Sequence, residues 1–151
     1  MILFSVIAVF SGQDVAPLPT DCANAANTLE INACGALDLR RETERMQQYL
    51  RVAEERARRR DETTRAYGGP SAQRGYLASS QYAWTAYAEI VCDGVRDDWN
   101  DGTIRTIMYL GCMIEMTHDR TRVIWRDHLT YVDSTPPVLP EPVETVAKTP
   151  G

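Results

Sequence analysis

Lysine is almost missing from this chain. Of 16 basic residues only Lys148 is Lys, and the other 15 are Arg. The 21 acids outnumber them, giving a formal net charge of −5. That balance argues against a general nucleic-acid binder, which needs a concentrated basic face to overcome phosphate repulsion. No long apolar run is present. The best stretch, Ile2 to Phe10, has nine residues and contains a Ser, whereas a membrane span needs roughly 20 apolar residues. No G-x-S-x-G motif occurs, and no Cys pair has the short Cys-x2–4-Cys spacing of a zinc site. What is present is one domain's worth of sequence, 151 residues with 44% hydrophobic content, enough for a core. No internal repeat is visible.

The apolar run matches the core of a secretory signal peptide over residues 1–11. Val9-Phe10-Ser11 offers tolerated residues for cleavage before Gly12, although no base precedes the run and the first is Arg40. The competing reading is an N-terminal core element. Pro-Thr-Asp before Cys22 does not resemble a lipoprotein cleavage box. Four cysteines, Cys22, Cys34, Cys92 and Cys112, an even number behind a signal-like segment, point to disulfides and to a periplasmic or secreted location. Three pairings are open; closeness in sequence favours Cys22–Cys34 and Cys92–Cys112. Each bridge would stabilise by about 3 kcal/mol through loop entropy.

Residues 12–21, with Pro17 and Pro19, read as an extended leader. Asn27 and Glu30 then form a capping-box pattern. Leu39, Thr43, Met46, Leu50, Ala53 and Ala57 step by alternate fours and threes, one stripe of a helix that Gly35 is expected to bend and Gly68-Gly69-Pro70 to stop. A second helix is predicted from Ser71 to Trp99 on Leu77, Gln81, Trp84, Ala88, Val91 and Val95, flanked by Tyr76, Tyr87 and Cys92. Thr103 is a candidate cap for a third, with the stripe Ile104, Ile107, Gly111, Ile114, His118, Thr121, Trp125 and His128 or Leu129. The last 18 residues carry five Pro and read as a disordered tail over 134–151. The expected architecture is an all-α, antiparallel three-helix bundle over residues 22–133, stapled by two disulfides.

Charge is unevenly placed. Arg40 to Arg65 holds nine Arg and six acids, densest at Arg58-Arg59-Arg60. This is a solvated helix face with local ion pairs or, more sharply, a contact for an anionic envelope polymer or head group. Glu89 to Asp119 reverses the sign, with seven acids against two Arg. Within it Asp93, Asp97, Asp98 and Asp101 surround Trp99. The oxygens do not fall at alternate positions and no closing Glu follows, so this is no calcium loop. The bland reading is solubility, with Trp99 capping the bundle end. The functional one is a docking patch, an aromatic anchor among acids that attract a cationic protein.

Three constellations resemble one family. The first is Cys22 followed by Thr28, Glu30, Asn32 and Cys34 in a T-x-E-x-N-x-C pattern. The second is Leu77, Gln81, Trp84, Tyr87-Ala88-Glu89 and Cys92. The third is Gly102-Thr103-Ile104-Arg105, then Cys112, Thr117 and Arg120. In this order they resemble the LprI-type lysozyme inhibitors, bacterial envelope or secreted proteins, across roughly Cys22 to Leu129. The resemblance implies binding and blocking of a cell-wall muramidase. This chain departs from the pattern at Ala88-Glu89, where the family usually has Arg-Asp, and any ion pair made by that Arg is absent.

The residues themselves read mainly as scaffold. Gln81 and His118 occupy stripe positions and are expected to hydrogen-bond inside the bundle. Thr28, Glu30 and Asn32 are expected to cap helix ends or pair with Arg120. Trp84, Tyr87 and Trp125 are expected in the core. Glu115 and His118 form a single Glu-x-x-His step, where a di-iron bundle needs two plus two further Glu. The sequence thus predicts no enzyme, metal or cofactor, and two candidate functions: a muramidase inhibitor or an envelope adaptor without a hydrolase target.

Overall fold

A computed structural model describes residues 21–143; the signal-peptide reading over 1–11 and all of the leader but Asp21 lie outside the described residues. A single 3-10 turn, Cys22–Asn24, is followed by α1 (Thr28–Ala66), α2 (Gln73–Asp98) and α3 (Arg105–Ile124), which ends in a π-helical turn, Trp125–Leu129. The 39 residues of α1 span about 58 Å at 1.5 Å per residue. The chain runs up, down and up, so α1 and α3 share a direction. Gly35 lies against Ile107 at one end, and Arg56 reaches the His128 carbonyl at the other. α3 packs most extensively on α1 and next on α2, while α1 and α2 touch least. The all-helical, disulfide-stapled bundle expected from the sequence is the fold.

Local chemistry sets the ends. The Asn27 side chain accepts from the Glu30 N–H at 3.0 Å, and Glu30 reaches back to the Ala26 N–H at 2.8 Å. This is the predicted capping box displaced by one donor. Gly68, at φ 76°, ends α1 in the left-handed region. Helix α2 has no side-chain cap from its own N-cap residue, Ala72. Asp61 of α1 takes that role: its carboxylate accepts from Ser71 Oγ, from Gln73 N at 2.8 Å and from Arg74 N at 3.1 Å. Thr103 does not cap α3. The N-cap position falls on Ile104 without a side-chain bond, because the turn is closed instead by Gly102 N donating to Trp99 O at 2.7 Å and Arg105 N to Gly102 O at 3.2 Å.

Gly35 does not interrupt α1, which is continuous through it. A Cβ there would lie 2.7 Å from Ile107 Cδ1 and 3.2 Å from Leu110 Cδ1. The residue lets two helices approach closely. The core joins Met46, Tyr49 and Ala53 of α1 to Leu77 of α2 and to Ile124 and Leu129, with Leu50, Val52, Trp84, Trp125 and Leu139 packed around it. Burying each of Leu77, Ile124 and Leu129 stabilises by about 1.5–3 kcal/mol. Cys22–Cys34 and Cys92–Cys112 are both bonded, each with Cα atoms 5.6 Å apart. The first ties the 3-10 turn to α1 and the second staples α2 to α3.

The Pro-rich segment has no regular structure, as expected, but its first part is not loose. Val138 N donates to Leu129 O at 2.8 Å. Tyr49 Oη donates to Pro140 O at 2.8 Å, and Trp125 Nε1 to Leu139 O at 2.9 Å. Leu139 packs on the core and Pro142 is buried. Proline has no N–H to leave unpaired, so an extended Pro-rich strap docks through its carbonyls and apolar rings. The expectation of disorder from Ser134 therefore does not hold over 134–143; residues 144–151 lie outside the described residues.

Candidate functional site

The acidic turn between α2 and α3 sits at one end of the bundle. Asp93, Asp97 and Asp98 ride the last turns of α2, Trp99 is its C-cap, and Asp101 follows in the turn. Asn100 adopts φ 29°, a conformation Asn tolerates better than most residues, and this reverses the chain sharply. Trp99 leaves 42% of its surface exposed, so it is not sealed over the bundle end. Arg96 is one local counter-charge, 2.9 Å from Asp93 and 3.9 Å from Asp97, and Arg105 is a second, donating to the Asn100 carbonyl at 3.2 Å. Arg96 also lies over the Tyr109 ring at 5.3 Å. Asp98 and Asp101 are exposed. The turn therefore brings four carboxylates and one half-open indole together, with net negative charge after both Arg are counted.

The opposite end is basic. Arg58 pairs with Glu55 at 2.7 Å and with Glu62, and Arg59 pairs with Glu55 at 2.8 Å. Those two Arg hold Glu55 far below the ordinary carboxylate range, at about 2. Such exposed pairs add little stability, and this part of the Arg-rich stretch is the solvated, ion-paired face. Arg56 behaves differently. It donates to the His128 carbonyl at 2.9 Å and the Thr130 carbonyl at 3.3 Å and stacks over Tyr131 at 4.1 Å, closing the C-terminal end of the last turn. Arg56, Arg59, Arg60, Thr63, Thr64, Pro70, Ser71 and Gln73 line an open cleft of about 620 Å³.

The motif residues divide. Gln81 makes the expected internal bonds: its Oε1 accepts from Arg120 Nε at 3.0 Å and its Nε2 lies 3.7 Å from Met46 Sδ. Arg120 also donates to Ser80 Oγ at 2.9 Å; burial pulls its pKa down. Arg120 thus joins α3 to α2 and does not pair with Thr28, Glu30 or Asn32. Glu30 serves the α1 cap, and Asn32 has a buried Oδ1 with no hydrogen-bond partner. Thr117 is buried, and its carbonyl accepts from Thr121 Oγ1 at 2.8 Å. His118 departs from expectation: its Nε2 is buried without a partner, and Asp119 stands 3.9 Å from Nδ1. Trp84 and Trp125 are half-buried against the core. Tyr87 is not in the core; it is 60% exposed, because its helical angle turns it away from both neighbours. Sequence spacing missed Asp61 as a cap and the outward face of α2, although Tyr76 and Tyr87 already fell beside the predicted stripe.

Among the described residues no group of three or more His, Cys, Asp or Glu is placed to hold a metal ion, and no helix is long and apolar enough to cross a membrane. What the fold and its surface define is a small disulfide-stapled helical scaffold, basic at one end and acidic at the other. The family model for Lysozyme inhibitor LprI matches residues 21–123, more than half of the chain, and the protein belongs to that family. Neither the curated proteins nor the solved structures return a match. The matched range stops before the π turn and the Pro-rich strap.

Proposed function

We propose that the protein is an exported binding module that blocks a lysozyme-type muramidase through its acidic end. Membership in a family described as Lysozyme inhibitor LprI supports this class of target. The observation that carries the reading to a surface is the exposed carboxylate cluster around the half-open Trp99. Charge of one sign at a convex end steers a cationic protein into encounter, and an aromatic among the charges gives it an anchor. Asp97, Asp98 and Asp101 set the approach, and Asp93 holds Arg96 in place. Both disulfides fit a periplasmic or secreted setting. Cell-wall lysis by a cationic lysozyme-type muramidase, with and without the purified protein, tests the reading. Slowed lysis at micromolar excess is expected, and unchanged lysis refutes it. Trp99→Ala should weaken inhibition at least tenfold; an undiminished variant removes the anchor.

The second reading is an envelope adaptor with no hydrolase target. The cleft between Arg56, Arg59 and Arg60 favours it, since it offers guanidinium donors to an anionic partner. Pull-down from an envelope extract separates the two: recovery of a wall hydrolase supports the first, and of an assembly protein the second.

A further inference from the structure

Tyr76, Tyr87 and Ile90 leave 70%, 60% and 73% of their surface open to water. One exposed apolar side chain is ordinary; three large ones on a single helix face form a patch that asks for a partner. At 100° per residue, Tyr76, Ala83, Tyr87, Ile90 and Gly94 fall on one side of α2, away from the buried Leu77, Ala88 and Cys92. With Ser80 they make a seven-residue repeat: Tyr76, Ala83 and Ile90 occupy one position, and Ser80, Tyr87 and Gly94 the other.

We propose that this face pairs with the same face of a second copy of the chain, the two α2 helices running antiparallel about a two-fold axis. In an antiparallel coiled coil the two repeat positions meet each other across the seam. Tyr76 then lies on Gly94 of the second copy, Tyr87 on its Ala83 and Ile90 on its Ser80. Every layer joins one large side chain to one small one. A Cβ built at Gly94 meets nothing within 4 Å, so the hole is open in the single chain. Ser80 Oγ already donates to Leu77 O and accepts from Arg120, so an apolar neighbour leaves no unpaired hydroxyl. A parallel pairing would set Tyr87 on Tyr87 and Gly94 on Gly94, clashing in one layer and leaving a void in another.

Charge points the same way. The first turn of α2 carries Arg74 and no acid, whereas its last turns carry Asp93, Asp97 and Asp98. Antiparallel pairing sets the basic end of one bundle beside the acidic end of the other. The three large side chains and the small ones between them bury about 500 Å² per copy, roughly 1,000 Å² in all, which is the lower bound for a specific interface. An interface of that size stands at the weak, transient end of specific association.

Sedimentation equilibrium of the full disulfide-bonded chain, from about 1 µM to about 500 µM, tests this. A monomer at the low end and a dimer at the high end are expected. Ala83→Arg should raise the dissociation constant at least tenfold while leaving the melting temperature and helical circular dichroism unchanged. Adding Tyr87→Glu should restore pairing, because the antiparallel layer sets the new acid against the new base. Gly94→Ala gives a variant in no danger of unfolding: it favours the helix, so the monomer melts higher, yet it fills the hole and weakens the dimer. A chain that stays monomeric throughout, or a dimer indifferent to Ala83→Arg and Gly94→Ala, overturns the proposal. Failure of the double variant to pair overturns the antiparallel register.

Discussion

Replacing Gly35 by Ala sets two opposed effects against each other. In an open helix interior, Gly→Ala stabilises by about 0.5–1 kcal/mol, because Ala loses less backbone entropy. At Gly35 the new Cβ would stand 2.7 Å from Ile107 Cδ1 and 3.2 Å from Leu110 Cδ1, well inside the 3.5–4.0 Å optimum for carbon atoms. Overpacking of this kind costs about 1–3 kcal/mol, so the net effect is a loss of roughly 1 kcal/mol, or about 4 °C in Tm. Gly111 of α3 is the control, since a Cβ there meets nothing within 4 Å and Gly111→Ala should gain the full helix term. Ile107→Val removes the clashing methyl; alone it costs about 0.5–1 kcal/mol at a half-buried site, and beside Gly35→Ala it should cost nothing. Urea unfolding of the single and double variants then gives a coupling of about 1 kcal/mol or more. If Gly35→Ala is as stabilising as Gly111→Ala, or the two changes simply add, α1 and α3 do not meet as described.

Three further outcomes follow from the bonds described. Replacing Cys92 and Cys112 together by Ala opens a loop of 20 residues and should cost about 3 kcal/mol by loop entropy, read as a lower urea midpoint at unchanged helix content. Leu139→Ala should free the strap, giving faster proteolysis between Ser134 and Val143 while the cleavage rate within α1 stays unchanged. Acid should weaken the fold in two stages. His128 has its pKa lowered chiefly by burial, then by Arg120, Arg60 and Arg56, so the unfolded chain binds the proton first and stability falls as pH drops below about 6.5; His128→Gln should flatten that step in the urea midpoint. Asp61 has its pKa lowered chiefly by the Ser71 hydroxyl and then by the Arg74 and Gln73 N–H groups. Its contribution is present above the ordinary Asp pKa and lost as pH falls through the folded value, and Asp61→Asn should remove that second loss.

The bundle was legible in the sequence because its signals are local. Fours-and-threes spacing located each helix, Asn27 and Glu30 located the first cap, and closeness in sequence pointed to the right one of the three possible cysteine pairings. What sequence missed depends on partners distant along the chain. Asp61 caps a helix whose first residue, Gln73, lies 12 positions on, so no local motif marks it. Tyr49 and Trp125 hold carbonyls of the Pro-rich strap, and low periodicity there reads as disorder because the strap's order comes from the surface beneath it. Tyr87 sits in a motif otherwise devoted to packing, yet the thin contact between α1 and α2 leaves that side of α2 uncovered. The acidic turn around Trp99 was visible in the sequence; that the indole stays half open there needed the fold.

The acidic end as a docking surface is tested most directly by calorimetric titration of a cationic lysozyme-type muramidase with the wild-type chain and with Asp97→Lys/Asp98→Lys/Asp101→Lys. The account predicts saturable binding of the wild type that weakens steeply as salt rises, and no binding by the charge-reversed variant at the same melting temperature. Binding that survives the reversal, or a wild type that gives no heat at about 100 µM, where even a 10 µM complex would be largely formed, contradicts it.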